Sequence, residues 1–161
     1  MYPPHDPRQA ATRAMMSSGS IIESLQAGVV FVVLENGEKL LESIRAAAHQ
    51  TDLHSGVLLS GIGSLQKGRI HTVASNELPT KEDFYDLPGP LEITNYTGII
   101  AAYEPHVHIP LMDSSGHLYG GHLEEGCEVL TLAKFSIPRA PDVRLARRKE
   151  LGKLFPLLTE E

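Results

Sequence analysis

The sequence has 161 residues, 42% hydrophobic and 21% charged, an ordinary globular balance for one domain large enough to bury a core without staples. Its formal net charge of −6 excludes a general attraction to phosphate backbones or anionic lipid, so nucleic-acid binding would need a local basic patch. The single cysteine, Cys127, excludes an intrachain disulfide and a CxxC metal knuckle and suits a reducing, cytoplasmic setting, and no stretch approaches the roughly 20 apolar residues of a membrane helix.

In chain order, residues 1–19 hold three prolines and several Ser and Ala and read as a flexible leader. The folded domain is expected over 20–158, with 159–161 as a tail. Residues 21–34 contain two apolar, β-branched groups separated by Ala27-Gly28, which predicts two strands or one bent strand. Asn36-Gly37 marks a turn. It opens a helix over 38–50, where Leu40, Leu41, Ile44, Ala47 and Ala48 recur at helical spacing. A buried strand is expected over 55–60, a glycine turn at Gly61-Ile62-Gly63, and a further strand over 67–74. The acidic, proline-containing stretch 76–90 reads as a surface excursion. One long strand follows over 91–103, then a hairpin of 104–112 with 117–123, and a last strand over 128–137. Leu145, Leu151, Leu154 and Phe155 predict a terminal helix within 142–158. Many strands and one strong helix give an α+β fold with a largely antiparallel sheet.

Gly61-Ile62-Gly63 after a strand does not make a dinucleotide site. The third glycine of that fingerprint would fall at Gln66, and no helical pattern follows. The informative segment is Pro105-His106-Val107-His108. Side chains alternate along a strand, so His106 and His108 face one side while Val107, Ile109 and Leu111 face the other. Ser114-Ser115-Gly116 fits a three-residue hairpin loop closed by a left-handed glycine. That register pairs Asp113 with His117 and His108 with His122, which brings a third histidine to the same face and sends His117 and Tyr119 to the other. A slip of one residue would dissolve the site. Three neutral histidines suit zinc or another late first-row divalent ion and leave one coordination position open for water or a small-molecule ligand. Glu124 lies opposite His106, where it could ligate or support a ligand from behind. His5, His49, His54 and His71 have no phased partner and read as surface residues, and Cys127 reads as a small buried side chain.

Several of these motifs stand in a familiar order. Gly61-Ile62-Gly63-Ser64-Leu65, Leu91-Glu92-Ile93-Thr94-Asn95-Tyr96-Thr97-Gly98, Pro105-His106-Val107-His108, Gly116 and Gly120-Gly121-His122-Leu123 resemble the plants-and-prokaryotes-conserved (PPC) domain over about residues 20–155. The resemblance implies an α/β sandwich related in fold to acetolactate decarboxylase, a homotrimer, and a metal on His106, His108 and His122. It also places Glu92 beside the histidine strand, as a candidate general acid or base for a metal-dependent lyase or hydrolase acting on a small carbonyl compound; the plainer reading of Glu92 is an outward-facing strand residue. Plant members of the family carry a DNA-gripping Arg-Gly-Arg-Pro core that this chain lacks, and Lys134 stands where many relatives carry an acidic residue. DNA therefore remains a possible but not a favoured partner. Its one support, the basic cluster Arg139, Arg144, Arg147, Arg148, Lys149 and Lys153, reads as the solvated face of the terminal helix.

Overall fold

The structure, a computed structural model, describes residues 12–15, 19–24, 27–147 and 157–159. β1 (Thr12–Met15) lies inside the stretch read as a leader and pairs antiparallel with β2 (Ser20–Ser24), which turns back into β3 (Val29–Glu35). Alternation along β3 buries Val30, Val32 and Leu34 and leaves Phe31 outside. The chain then enters α1 (Leu40–Gln50), the one helix among the described residues, with Leu40, Leu41, Ile44, Ala47 and Ala48 buried on one face as the periodicity predicts. Its ends are satisfied from outside the helix. The Leu40 N–H donates to the Cys127 carbonyl (3.0 Å), and the Thr51 hydroxyl donates to the Ala47 carbonyl (2.8 Å).

The strands that follow are β4 (Ser55–Leu58), β5 (Ser60–Val73), β6 (Glu82–Ile93), β7 (Thr97–Ala101), β8 (Glu104–Asp113), β9 (Leu118–Leu123) and β10 (Glu128–Pro138). All register antiparallel, in the order β1-β2-β3-β10-β5-β6-β8-β7-β4, with β9 pairing to both β5 and β8. The α+β class and the mainly antiparallel sheet are as expected. β5, β6, β8 and β9 pair in a closed cycle, so one face of each strand points inward. Ile70, Leu91, Ile109, Leu111 and Leu123 fill that interior and are at most 2% exposed. The opposite faces of β5, β8 and β9 are free to carry polar chemistry. α1 packs on β3, β8 and β10.

Four expectations change. Gly61 and Gly63 do not form a turn but lie within β5, where the missing side chain permits close packing. A Cβ on Gly61 would sit 2.3 Å from the Tyr96 ring and 2.5 Å from the Lys134 carbonyl. Tyr96, fully buried, occupies that space, and residues 94–96 lie outside the strands, so the long strand expected over 91–103 is split into the end of β6 and β7. Residues 82–90, part of the 76–90 stretch read as a surface excursion, are the outer half of β6, and Glu82–Pro88 pair with Lys67–Val73 despite their acidity. Within the tail, β11 (Leu145–Arg147) and β12 (Leu157–Thr159) form a two-stranded sheet, so those residues are extended and not helical. The remainder of the expected terminal helix lies outside the described residues.

Candidate metal centre

The hairpin register is the one read from the loop. The Asp113 N–H donates to the His117 carbonyl (3.0 Å), Gly116 takes a φ of +83°, and His108 pairs with His122 across β8 and β9. On the far side of β9, His122 also pairs with His71 of β5. His71, His122 and His108 therefore stand in a row across three strands, about 4.8 Å apart per step, with His106 one step further along β8. Rings pack within the group: His71 stacks on His122 at 4.5 Å and 24°, and His106 meets His122 edge-on at 4.6 Å. His106 Nε2 and His108 Nε2 are 3.2 Å apart. Glu124, beside His122 on the strand end, accepts from His71 Nδ1 (2.7 Å) and from His122 Nδ1 (3.1 Å) with the same oxygen, Oε1.

His71, His106, His108 and His122 line one cleft of about 490 Å³, together with Thr72, Val73, Gly120 and Gly121. Gly121 is what allows β9 to close on β5. A Cβ there would lie 2.5 Å from the His71 carbonyl oxygen. Burial lowers the basicity of His122, and the neighbouring His71 charge lowers it further against the pull of Glu124. His108 is lowered by the same two causes, burial first. Both imidazoles are thereby favoured in the neutral form that a metal requires.

One pair within this cluster has the spacing of two ligands on a single divalent ion. Two nitrogens, each about 2.0–2.1 Å from a tetrahedral zinc, are about 3.3–3.4 Å apart, which is close to the separation of His106 Nε2 and His108 Nε2. Among the described residues, the group of three whose ligand atoms all lie within 4.8 Å of one another is His71, His122 and Glu124. His122 adjoins the His106–His108 pair through ring contacts, at 4.6 Å from His106 and 5.6 Å from His108.

A family model for the Plants and Prokaryotes Conserved (PCC) domain matches residues 22–137, well over half of the chain and including every member of the histidine cluster. The chain belongs to the PCC domain family. This is the family that the motif order resembles under the name PPC. Two curated relatives, the bifunctional GlmU proteins of two Synechococcus strains, are each 29% identical over 114 residues, 71% of this chain, and the chain spans only 17% of their length. Among solved structures, a candidate DNA-binding protein of Bacteroides thetaiotaomicron superposes with a TM-score of 0.73 at 19% identity, covering 94% of this chain and 99% of the other. A metal-containing protein of Archaeoglobus fulgidus superposes at 0.65 with 25% identity, covering 83% and 93%.

Within this PCC domain the sequence-predicted residues fall unequally. His106, His108 and His122 share the cleft. Glu92 pairs with Met112, four positions along β8 from His108, about 13 Å at 3.3 Å per residue. It lines a different cleft, with Ser64, Pro90, Asp113 and Thr131. His71, read as a surface residue, is the one the sequence missed. Its partner is 51 residues away, on a strand pairing that no local spacing announces. His49 and His54 flank Tyr103 at 4.8 and 5.1 Å, and His5 lies outside the described residues. Cys127 is buried, its thiol pushed up to about 11 by that burial. Arg139 is not a solvated face residue: it pairs with Glu23 and donates to the Thr51 and Asp52 carbonyls. Lys134 is exposed on β10.

Proposed function

We propose that this PCC-domain protein binds one divalent metal ion per chain, zinc by the chemistry of its donors, through His106, His108 and His122, with one coordination position turned to the cleft for a small-molecule ligand. The observation that carries the reading is the pair of Nε2 atoms 3.2 Å apart, in a cleft shared with His122. The metal content ascribed to the Archaeoglobus fulgidus relative supports it. Bound there, such an ion supplies Lewis acidity to a ligand's oxygen. Glu92 serves as an acid or base at that centre only if a neighbouring protomer brings it there, because within the chain it opens on the other cleft.

The assembly we propose is a homotrimer with the histidine cleft near a subunit boundary. Val73 lines that cleft and is 65% exposed, and Phe84 and Leu118 also stand outside the core, at 50% and 69%. Apolar surface of this kind calls for cover. DNA is the weaker reading, since the chain carries −6 and Arg139 is engaged in the fold. Elemental analysis of the purified protein and three variants tests the metal. His106→Ala and His122→Ala should each lose it and His117→Ala should keep it; retention in His122→Ala together with loss in His117→Ala would sink the site.

A further inference from the structure

Glu124 could serve the centre as a ligand or from behind a ligand, and its contacts distinguish the two. An ionised carboxylate carries no proton, so both nitrogens that meet Oε1, His71 Nδ1 and His122 Nδ1, must be the donors. An imidazole that donates from Nδ1 keeps a lone pair on Nε2, on the opposite side of the ring. Both Nε2 atoms thus face away from Glu124. The two rings lie 4.5 Å apart and within 24° of parallel, with both Nδ1 atoms turned to the same carboxylate oxygen. At 2.7 Å from His71 Nδ1 and 3.1 Å from His122 Nδ1, that oxygen is closer to each than two donor atoms on one tetrahedral ion, roughly 3.3 Å apart, so both contacts are hydrogen bonds.

The geometry points to Glu124 as the positioning residue of the centre: its carboxylate, steadied by the second donor His71, holds His122 in the tautomer and orientation that present Nε2 to the metal. This rests on the reading of His122 as a ligand. The physical reason is general. Ligating histidines donate their other ring N–H to a carboxylate or carbonyl, which fixes the ring and raises its basicity. Without that acceptor, His122 can carry its proton on Nε2 and must give it up or rotate before binding. One carboxylate oxygen shared by two imidazoles also explains why His71, with no counterpart in the HxH motif, belongs in the cluster.

The test reads the tautomer directly, in metal-free protein. Nitrogen-15 NMR of the ring nitrogens at about pH 8, where imidazoles are neutral, should show His122 protonated on Nδ1. Glu124→Ala should move that proton to Nε2 in part or in full. Glu124→Gln keeps an oxygen acceptor and should preserve the Nδ1 tautomer, and so should His71→Phe, which leaves Glu124 in place. Zinc affinity by chelator competition should fall about 10- to 100-fold in Glu124→Ala and much less in Glu124→Gln. An unchanged His122 tautomer in Glu124→Ala overturns the proposal. So does equal, complete loss of zinc in both Glu124 variants, which would make Glu124 a ligand. A tautomer shift as expected, with no zinc bound even by the wild type, would sink the metal reading alone.

Discussion

Replacing Gly121 with alanine tests whether the centre depends on how closely β9 approaches β5. The new Cβ would lie 2.5 Å from the His71 carbonyl oxygen, where ordinary contact begins at 3.4 Å. The obstacle is backbone, so no side chain can swing aside, and β9 must withdraw by about 0.9 Å, the difference between those two distances. The β5–β9 pairing has two registered pairs, Ile70 with Leu123 and His71 with His122, and the Glu124 N–H donates to the Arg69 carbonyl (3.0 Å), so a withdrawal strains these contacts. Forced overpacking of this kind costs about 1–3 kcal/mol. The neighbouring Gly120 is the control. Nothing lies within 4 Å of a Cβ there, and Gly120→Ala should be neutral or slightly stabilising. Urea unfolding of both variants without metal measures the cost, and zinc competition measures the displacement of His122. Equal stability and equal zinc affinity in the two variants would refute the argument that Gly121 sets the spacing of the site.

Three further outcomes follow from the same structure. His108 and His122 are less basic in the fold than in the unfolded chain, so protons bind the unfolded state preferentially; metal-free stability should hold above the unfolded histidine value of about 6.5 and fall as the pH drops through it. Urea midpoints at about pH 7.5 and pH 5 check this, and His122→Ala should flatten the difference. Cys127, buried and pushed up to about 11, should resist a thiol reagent in the native protein and react fully in denaturant; rapid native labelling would contradict its burial. Light scattering should give three times the protomer mass, and a clean monomer would defeat the proposed assembly.

The parts of the fold legible in the sequence are those governed by local rules. The 3.6-residue period of Leu40, Ile44 and Ala47 located α1, and the alternation of His106 and His108 against Val107 and Ile109 assigned two faces of β8. Ser114-Ser115-Gly116 was sufficient to set the β8–β9 register, because a short loop leaves the strands few ways to pair. What was not legible depends on distant partners. Gly61 and Gly63 look like a turn until Tyr96 and β10 are seen to press on them. The acidic outer half of β6 lacks an apolar pattern, yet it is held by pairing to β5. The same limit hid His71. Nothing near it in sequence pairs with it, and only the closure of β5, β6, β8 and β9 into a cycle brings it against His122. The carboxylate behind the site was half visible: the hairpin register set Glu124 beside the histidines, but not the second imidazole that shares it.

The most direct test is a crystal of the zinc-loaded protein, with anomalous differences collected across the zinc edge. One peak per chain is expected, about 2.0–2.1 Å from Nε2 of His106, His108 and His122, with Glu124 still hydrogen-bonded to His122 Nδ1 behind it. A peak between His71 Nδ1, His122 Nδ1 and Glu124, or no peak in the cleft at all, would contradict the account.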